Sequence, residues 1–205
     1  MIANQKVLDV GCGHGEITIK NGLFAKQIVG FDVTDQFVQM GRKTIENNVT
    51  FVLGNAKEGL PFALNEFDCA YIRKGPTSAY PYLKKVVKKG GKIMGLHPGD
   101  ATYKELPKLF PGLFESSIGT PILNTLNQRL DSSNFTYSNI DIINSTEFIH
   151  TPLDLLKLRC FGQHPSIFET LKERDLQQVT KVFEQHATVK GLPVTLSRYL
   201  IQATI

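Results

Sequence analysis

The chain has 205 residues, 41% of them hydrophobic and 20% charged, with a net charge of +4. That composition excludes a disordered chain and supplies enough apolar side chains for one core of ordinary domain size. No apolar run is long enough to cross a bilayer, and Met1 to Gln5 lack the basic-then-apolar pattern of a secretory leader, so the expected location is the cytoplasm.

Residues 6–10, KVLDV, read as a short buried strand. A helix over 16–26 follows, with Ile17, Leu23 and Phe24 inward, then a strand over 27–32. Thr34 is placed to cap a helix running to about 47, whose apolar positions are Phe37, Val38, Met40 and Ile45. Strands are expected at 49–53 and, past the loop around Gly59 and Pro61, at 67–72. A helix over 79–87 is stopped by Gly90 and Gly91, and a strand covers 92–96. Alternating short β runs and helices predict an α/β fold, a parallel sheet with helices on both faces. Beyond His97 the prolines at 98, 107 and 111 break the pattern into short helices and loop. A helix over 120–130 and a strand over 138–149 come next. Thr151 caps a short helix with Pro152 at its first position. A long amphipathic helix spans 166–186, and LPVTLSRYLIQATI alternates as a final strand, expected to join the sheet as an antiparallel edge. No repeat or domain boundary stands out, so 1–205 reads as a single domain.

Cys12, Cys69 and Cys160 are scattered without a CxxC pair, which points to reduced thiols in or near the core rather than zinc or disulfides. The lysines at 84, 85, 88, 89 and 92 lie at the end of a predicted helix, where they suit the dipole and a solvated face better than a phosphate patch. A committed nucleic-acid binder carries a denser basic stripe.

The segment after the first strand carries the chemistry. A strand turning tightly into a helix leaves unpaired N–H groups, and glycines let a ligand approach them. The dinucleotide fingerprint GxGxxG fails here because Glu16 fills its third glycine slot, and no P-loop lysine follows. The order is instead Asp-x-Gly-x-Gly-x-Gly: Asp9, Gly11, Cys12, Gly13, His14, Gly15. A carboxylate at Asp9 repels a pyrophosphate and suits an amino group or a cation. Asp32 closes the second strand, where a carboxylate accepts hydrogen bonds from both hydroxyls of a ribose; its other reading is a helix cap. The implied ligand has a ribose and a positively charged part and needs a close backbone approach, and S-adenosylmethionine fits all three.

The segments VLDVGCGHGE, IVGFDVT, FVLGNAKEGLPF, FDCAYIRKG and LKKVVKKGGKIMGLHPG, in this order and spacing, resemble a class I S-adenosylmethionine-dependent methyltransferase. The resemblance implies a Rossmann-like, doubly wound, mostly parallel seven-stranded sheet with an antiparallel C-terminal edge strand. It divides the domain into a cofactor-binding half, 1–98, and an acceptor-side half, 99–205. It implies that Asp9, Gly11, Cys12, Gly13 and Gly15 surround the methionine end of the cofactor. Asp32 would hold the ribose with Val33 against the adenine, Asn55 and Ala56 would lie by the adenine edge, and Ile72 and Arg73 would approach the methionine amine through backbone. Asn55 stands where the family usually has aspartate, and an ordinary turn residue is its other reading.

In such a reaction the sulfonium already activates the methyl group, so a general base is optional. Candidate acceptor-side residues are Arg73, Lys74, Tyr80 and His97; His97 and Tyr80 are weak catalytic candidates. His14, His150, His164 and His186 suggest no metal site. The segment IRKGPTSAY replaces the Asn-Pro-Pro-Tyr type of sequence that in the family marks methylation of amides or exocyclic base nitrogens. A small-molecule acceptor therefore leads over RNA. A cofactor-binding regulatory partner without transfer is the alternative, and a nicotinamide-dependent oxidoreductase is disfavoured by Asp9 and the missing glycine. Oligomeric state is not set by the sequence. Members of the family usually carry helices before the first strand, and here that strand begins at Lys6. The expectation is a fragment lacking an N-terminal lid, with an open cleft over 11–15; the alternative is closure by 99–130.

Overall fold

The computed structural model describes residues 1–43, 46–116 and 118–205. Among these residues seven strands form one sheet in the order β3-β2-β1-β4-β5-β7-β6. Strand β1 (Lys6–Val10) runs parallel to both β2 (Gln27–Asp32) and β4 (Phe67–Arg73). Strand β3 (Val49–Leu53) pairs with β2, and β5 (Val87–Pro98) with β4, again in parallel. Strand β7 (Leu192–Thr204) returns antiparallel to β5, with Gly90 N donating to Ile205 O and Ile205 N to Gly91 O. The final strand thus lies between β5 and β6 (Tyr137–Ile149), and β6 forms the edge. Strand order reverses between β1 and β4, the point at which open α/β sheets bind ligands beyond the carboxyl ends of their strands.

The chain forms two compact units. The first comprises Met1–Pro98, Ile122–Ile142 and Tyr199–Ile205, the second Gly99–Pro121 and Ile143–Arg198. In the first, alternation along the strands sends successive side chains into two cores. Leu8, Val10, Ala70, Ile72, Ile93 and Ile201 pack with Tyr80 and Leu83 of α3 (Tyr80–Val86) and with Leu126 and Leu130 of α5 (Pro121–Ser133). Val7, Ile28, Val49, Phe51, Cys69 and Tyr71 pack with Val38 of α2 (Asp35–Gly41). In the second unit, Leu106 of the one-turn α4 (Leu106–Leu109), Leu155 and Leu156 of α6 (Pro152–Arg159), and Val179 and Phe183 of α7 (Pro165–His186) form a core of their own. Thr151 caps α6 by accepting from Asp154 N at 3.1 Å, as its sequence predicts.

Several boundaries differ from the sequence expectation. Helix α1 (Glu16–Gly22) stops short of residue 26, and Leu23 and Phe24, expected inward, are 74% and 62% exposed. The inner face of α1 is Thr18 and Gly22 instead, with Ala25 buried just beyond the helix. A polar residue faces inward because its hydroxyl has a buried carboxylate to bond, and Gly22 is needed where α1 meets the Val49 side chain. Helix α2 ends at Gly41, and Met40 is exposed; Ile45 lies outside the described residues. Thr34 sits at the start of α2 without a side-chain cap, and its own N–H donates to Asp32 Oδ1. A 3-10 turn over Thr77–Ala79 precedes α3. Gly90 and Gly91 do not terminate α3, which ends at Val86; they form an irregularity inside β5, where the register with β4 shifts. The lysines therefore divide between the end of α3 and β5, and three are engaged internally: Lys84 with Asn134 O, Lys88 with Asp68 and Lys92 with Thr204.

Candidate functional site

The β1–α1 loop leaves the sheet at its switch point, and its three glycines meet three different surroundings. A Cβ on Gly11 would stand 2.7 Å from Gly75 Cα and from Pro76 Cδ, so Gly11 lets the β4–α3 loop pass against the end of β1. A Cβ on Gly15 would meet the Phe51 ring at 2.5 Å, so this glycine lets β3 and the start of α1 pack together. Gly13, at φ +57, has nothing within 4 Å of the position a Cβ would take. It is the loop glycine that faces open space, and its N–H donates to Asp32 Oδ2 at 2.9 Å. His14 is exposed, its ring tilted against that of Phe37 with centroids 3.8 Å apart.

Asp32 ends β2 beside this loop. Its two oxygens are fixed by separate backbone donors, Gly13 N on Oδ2 and Thr34 N on Oδ1, both at 2.9 Å. A carboxylate oxygen accepts more than one hydrogen bond, so both retain capacity towards a ligand. Gly11, Phe31, Asp32, Val33, Asn55, Ala56, Pro76 and Ser78 line a cleft of about 170 Å³. That is below the roughly 300–1,000 Å³ of pockets enclosing a whole small molecule. Its volume has room for one end of such a ligand. Asn55 contributes to the wall, but its amide is engaged locally: Nδ2 donates to Glu58 and Oδ1 accepts from Lys57 N, a turn in its own right. Pro76 and Ser78 are wall residues that the sequence did not single out.

Asp9 lies on the other side of the loop and is buried. Its Oδ2 accepts from Thr18 Oγ1 at 2.6 Å and from the Tyr71 hydroxyl at 2.7 Å, and Asn21 donates to Tyr71 in turn. Burial pushes the Asp9 carboxyl up to about 6, against the two hydroxyl donors and the positive charge of Arg73, which pull it down. Burial, helped by the negative charges of Asp9 and Asp32, pushes the Cys12 thiol up to about 12, which keeps it protonated at neutral pH. Thr18 and Tyr71 were also missed in the sequence. Their signals were present but remote: Thr18 stands nine residues along, and Tyr71 is the residue of β4 in register with Asp9.

Ile72 and Arg73 close β4, Ile72 beside Val10, with Ile72 buried and Arg73 exposed. Tyr80 and His97 are brought together, the Tyr80 hydroxyl 2.8 Å from His97 Nε2, and both are buried. The hydroxyl occupies the space a side chain at residue 95 would need, so Gly95 makes room for it. Burial holds His97 down at about 4 and raises the Tyr80 phenol. Among the described residues no three metal-ligating side chains gather. No helix among them is long and apolar enough to cross a membrane.

Comparison with known proteins agrees with this geometry. A family model described as a methyltransferase domain matches residues 7–91. An uncharacterized methyltransferase of Synechocystis sp. is 32% identical over 145 residues, covering 64% of this chain and 67% of that relative. The ubiquinone/menaquinone biosynthesis C-methyltransferase UbiE of Cronobacter sakazakii is 32% identical over 120 residues, covering 52% of this chain and 47% of its own length. The chain thus spans about half the length of such relatives. The crystal structure of a putative methyltransferase from Bacillus halodurans superposes with a TM-score of 0.65 at 19% identity, covering 100% of this chain and 94% of the other, which is a likeness of fold. A glycine loop led by an acid, an aspartate closing the second strand, a 3-2-1-4-5-7-6 sheet and these matches agree: the chain belongs to the class I S-adenosylmethionine-dependent methyltransferase family.

Proposed function

We propose that this chain binds S-adenosylmethionine across the β1–α1 loop and catalyses methyl transfer to a small-molecule acceptor in the cytoplasm. The observation that carries the reading is Asp32, a carboxylate fixed by two backbone N–H groups at the mouth of a cleft lined by Val33 and Ala56. The residues fit the ligand. Asp32 has lone pairs left for two ribose hydroxyls, and the cleft beside it is mainly apolar, as an adenine needs. Open space over Gly13 admits the rest of the molecule, and Asp9 gives the amino group a negative charge.

When bound, S-adenosylmethionine supplies a methyl group already activated by its sulfonium. The protein's own residues then have to align the two partners and exclude water. Asp32 and the Gly13 N–H it holds fix the loop in one geometry before any ligand arrives. Tyr80 and His97 are bonded to each other beneath the surface, and a histidine held near 4 is a weak base at neutral pH. They are assigned to anchoring α3 on β5, and no general base is required. The small-molecule acceptor is supported by the UbiE relative, a C-methyltransferase of quinone biosynthesis by name. Internal partners for Lys84, Lys88 and Lys92 weigh against a nucleic-acid surface there.

Calorimetric titration with S-adenosylhomocysteine tests the proposal. Asp32→Ala should lose on the order of 2–4 kcal/mol of affinity through a pair of charge-assisted hydrogen bonds. Gly13→Val should lose binding while still unfolding cooperatively. Wild-type affinity in a folded Asp32→Ala variant would overturn the assignment.

A further inference from the structure

Strand β6 ends the sheet, and among the described residues no strand pairs with its outer side. A strand turns its N–H and C=O groups alternately towards its two neighbours, so an edge strand leaves a row of them for another strand to bond. The two edges of this sheet differ. Strand β3 has five residues, and so short an edge offers little to a partner. Strand β6 has thirteen, nine of them exposed, Tyr137, Ile142 and Ile143 included. At about 3.4 Å per residue that is roughly 40 Å of edge. Its sequence, YSNIDIINSTEFI, holds neither lysine nor proline, the residues that keep strands from joining edge to edge.

The side chains of β6 select the partner. Two identical strands related by a two-fold axis normal to the sheet pair antiparallel, so that residue i opposes residue j and j opposes i. Ile143 is the midpoint of β6, and an axis there overlaps the strand along its whole length. Opposed residues share a face. On one face Ile143 then meets its own copy, Tyr137 meets Ile149, Asp141 meets Ser145 and Asn139 meets Glu147. Apolar side chains oppose apolar ones, and each carboxylate opposes a hydrogen-bond donor. The donors have capacity left. Asn139 gives one amide N–H to Asp141 of its own chain at 2.9 Å and keeps a second, and the bond from the Ser145 hydroxyl to Leu196 O is long, 3.5 Å. The other face carries no charge: Ser138 meets Phe148, Ile140 meets Thr146 and Ile142 meets Asn144. An axis one residue away, at Ile142, loses this match, for it sets Asp141 against Ile143 and Glu147 against Tyr137.

We propose that two copies of this chain pair β6 to β6 about a two-fold axis at Ile143, joining their seven-stranded sheets into one. The edge is then its own partner, and its polar and apolar side chains are spaced for that pairing. The proposal does not depend on which ligand the β1–α1 loop holds.

Sedimentation of the whole chain over a wide range of concentration should show a species of twice the 22.8 kDa chain mass. Ile143→Lys sets two cations face to face on the axis and should raise the dissociation constant of the dimer at least about tenfold. Ile143→Cys should cross-link into a dimer under mild oxidation, because the axis brings the two thiols together. Tyr137→Cys should not, because its two copies lie at opposite ends of the paired strands. The wild-type chain, with its own Cys12, Cys69 and Cys160, is the control. Should Ile143→Lys fail to fold, the two cysteine variants decide. A wild-type chain that stays monomeric throughout would overturn the proposal and leave the edge to a strand of a different protein. Dimers equally tight in folded Ile143→Lys would overturn it by placing the interface elsewhere. Cross-linking through Tyr137→Cys rather than Ile143→Cys would overturn the register.

Discussion

At the scale of single residues, Asp9 carries a structural cost. It is 2% exposed and its carboxyl sits at about 6, above the ordinary 3.8. A carboxyl raised in the folded state favours folding fully below the unfolded value, near 4, and that contribution is lost as pH rises through about 6. At pH 8 the fold therefore bears the burial of a charge. Asp9→Asn should be more stable than wild type at pH 8, on the order of 1–3 kcal/mol, with the advantage vanishing by pH 4. Urea unfolding at the two pH values measures this; a variant no more stable than wild type at pH 8 would contradict it. The same variant should bind S-adenosylhomocysteine more weakly. Asp9, Asp32 and the loop glycines were legible in the sequence because their chemistry lies within a short span. Thr18 and Tyr71 were not, because a threonine and a tyrosine acquire meaning only once the fold delivers them to a buried oxygen.

At the scale of elements, one aromatic ring organises the face of the sheet under the loop. Cβ atoms on Gly15, Gly30 and Gly41 would each come within 2.5–2.8 Å of Phe51 ring atoms. Glycines from the loop, from β2 and from the end of α2 thus enclose a ring from β3. Gly41→Ala improves helix propensity by about 1 kcal/mol, but crowding a packed ring costs about 1–3 kcal/mol. The net effect should be destabilising, and Phe51→Leu should relieve it. Chemical denaturation of the two single variants and the double should give a double-mutant total smaller than the sum of the singles. An additive result would mean that the ring and Gly41 act independently. This packing also explains where the sequence misled. The inner face of α1 is set by Gly22 and Thr18, small or polar residues that hydrophobic periodicity passes over, while Leu23 and Phe24 advertise a burial they do not have.

For the whole molecule, alternation and spacing were enough to read the parallel half of the sheet, since each of its strands is followed by a local turn signal. The place of the last strand was not legible, because nothing in LPVTLSRYLIQATI distinguishes an edge from the gap between β5 and β6. Tyr199, Ile201, Ala203 and Ile205 nonetheless belong to the principal core of the first unit. A chain cut after Gly191 should lose cooperative unfolding and aggregate, whereas alanine at exposed Gln202 should leave the melting temperature nearly unchanged. Cooperative melting of the truncated chain would show that β5 and β6 tolerate separation. The arrangement also sets a timetable. Of the seven strands β7 is the last to leave the ribosome, and some ninety residues (99–191) separate it from β5. At about 5–20 residues per second, the nascent sheet waits roughly five to twenty seconds with the β5 edge bare.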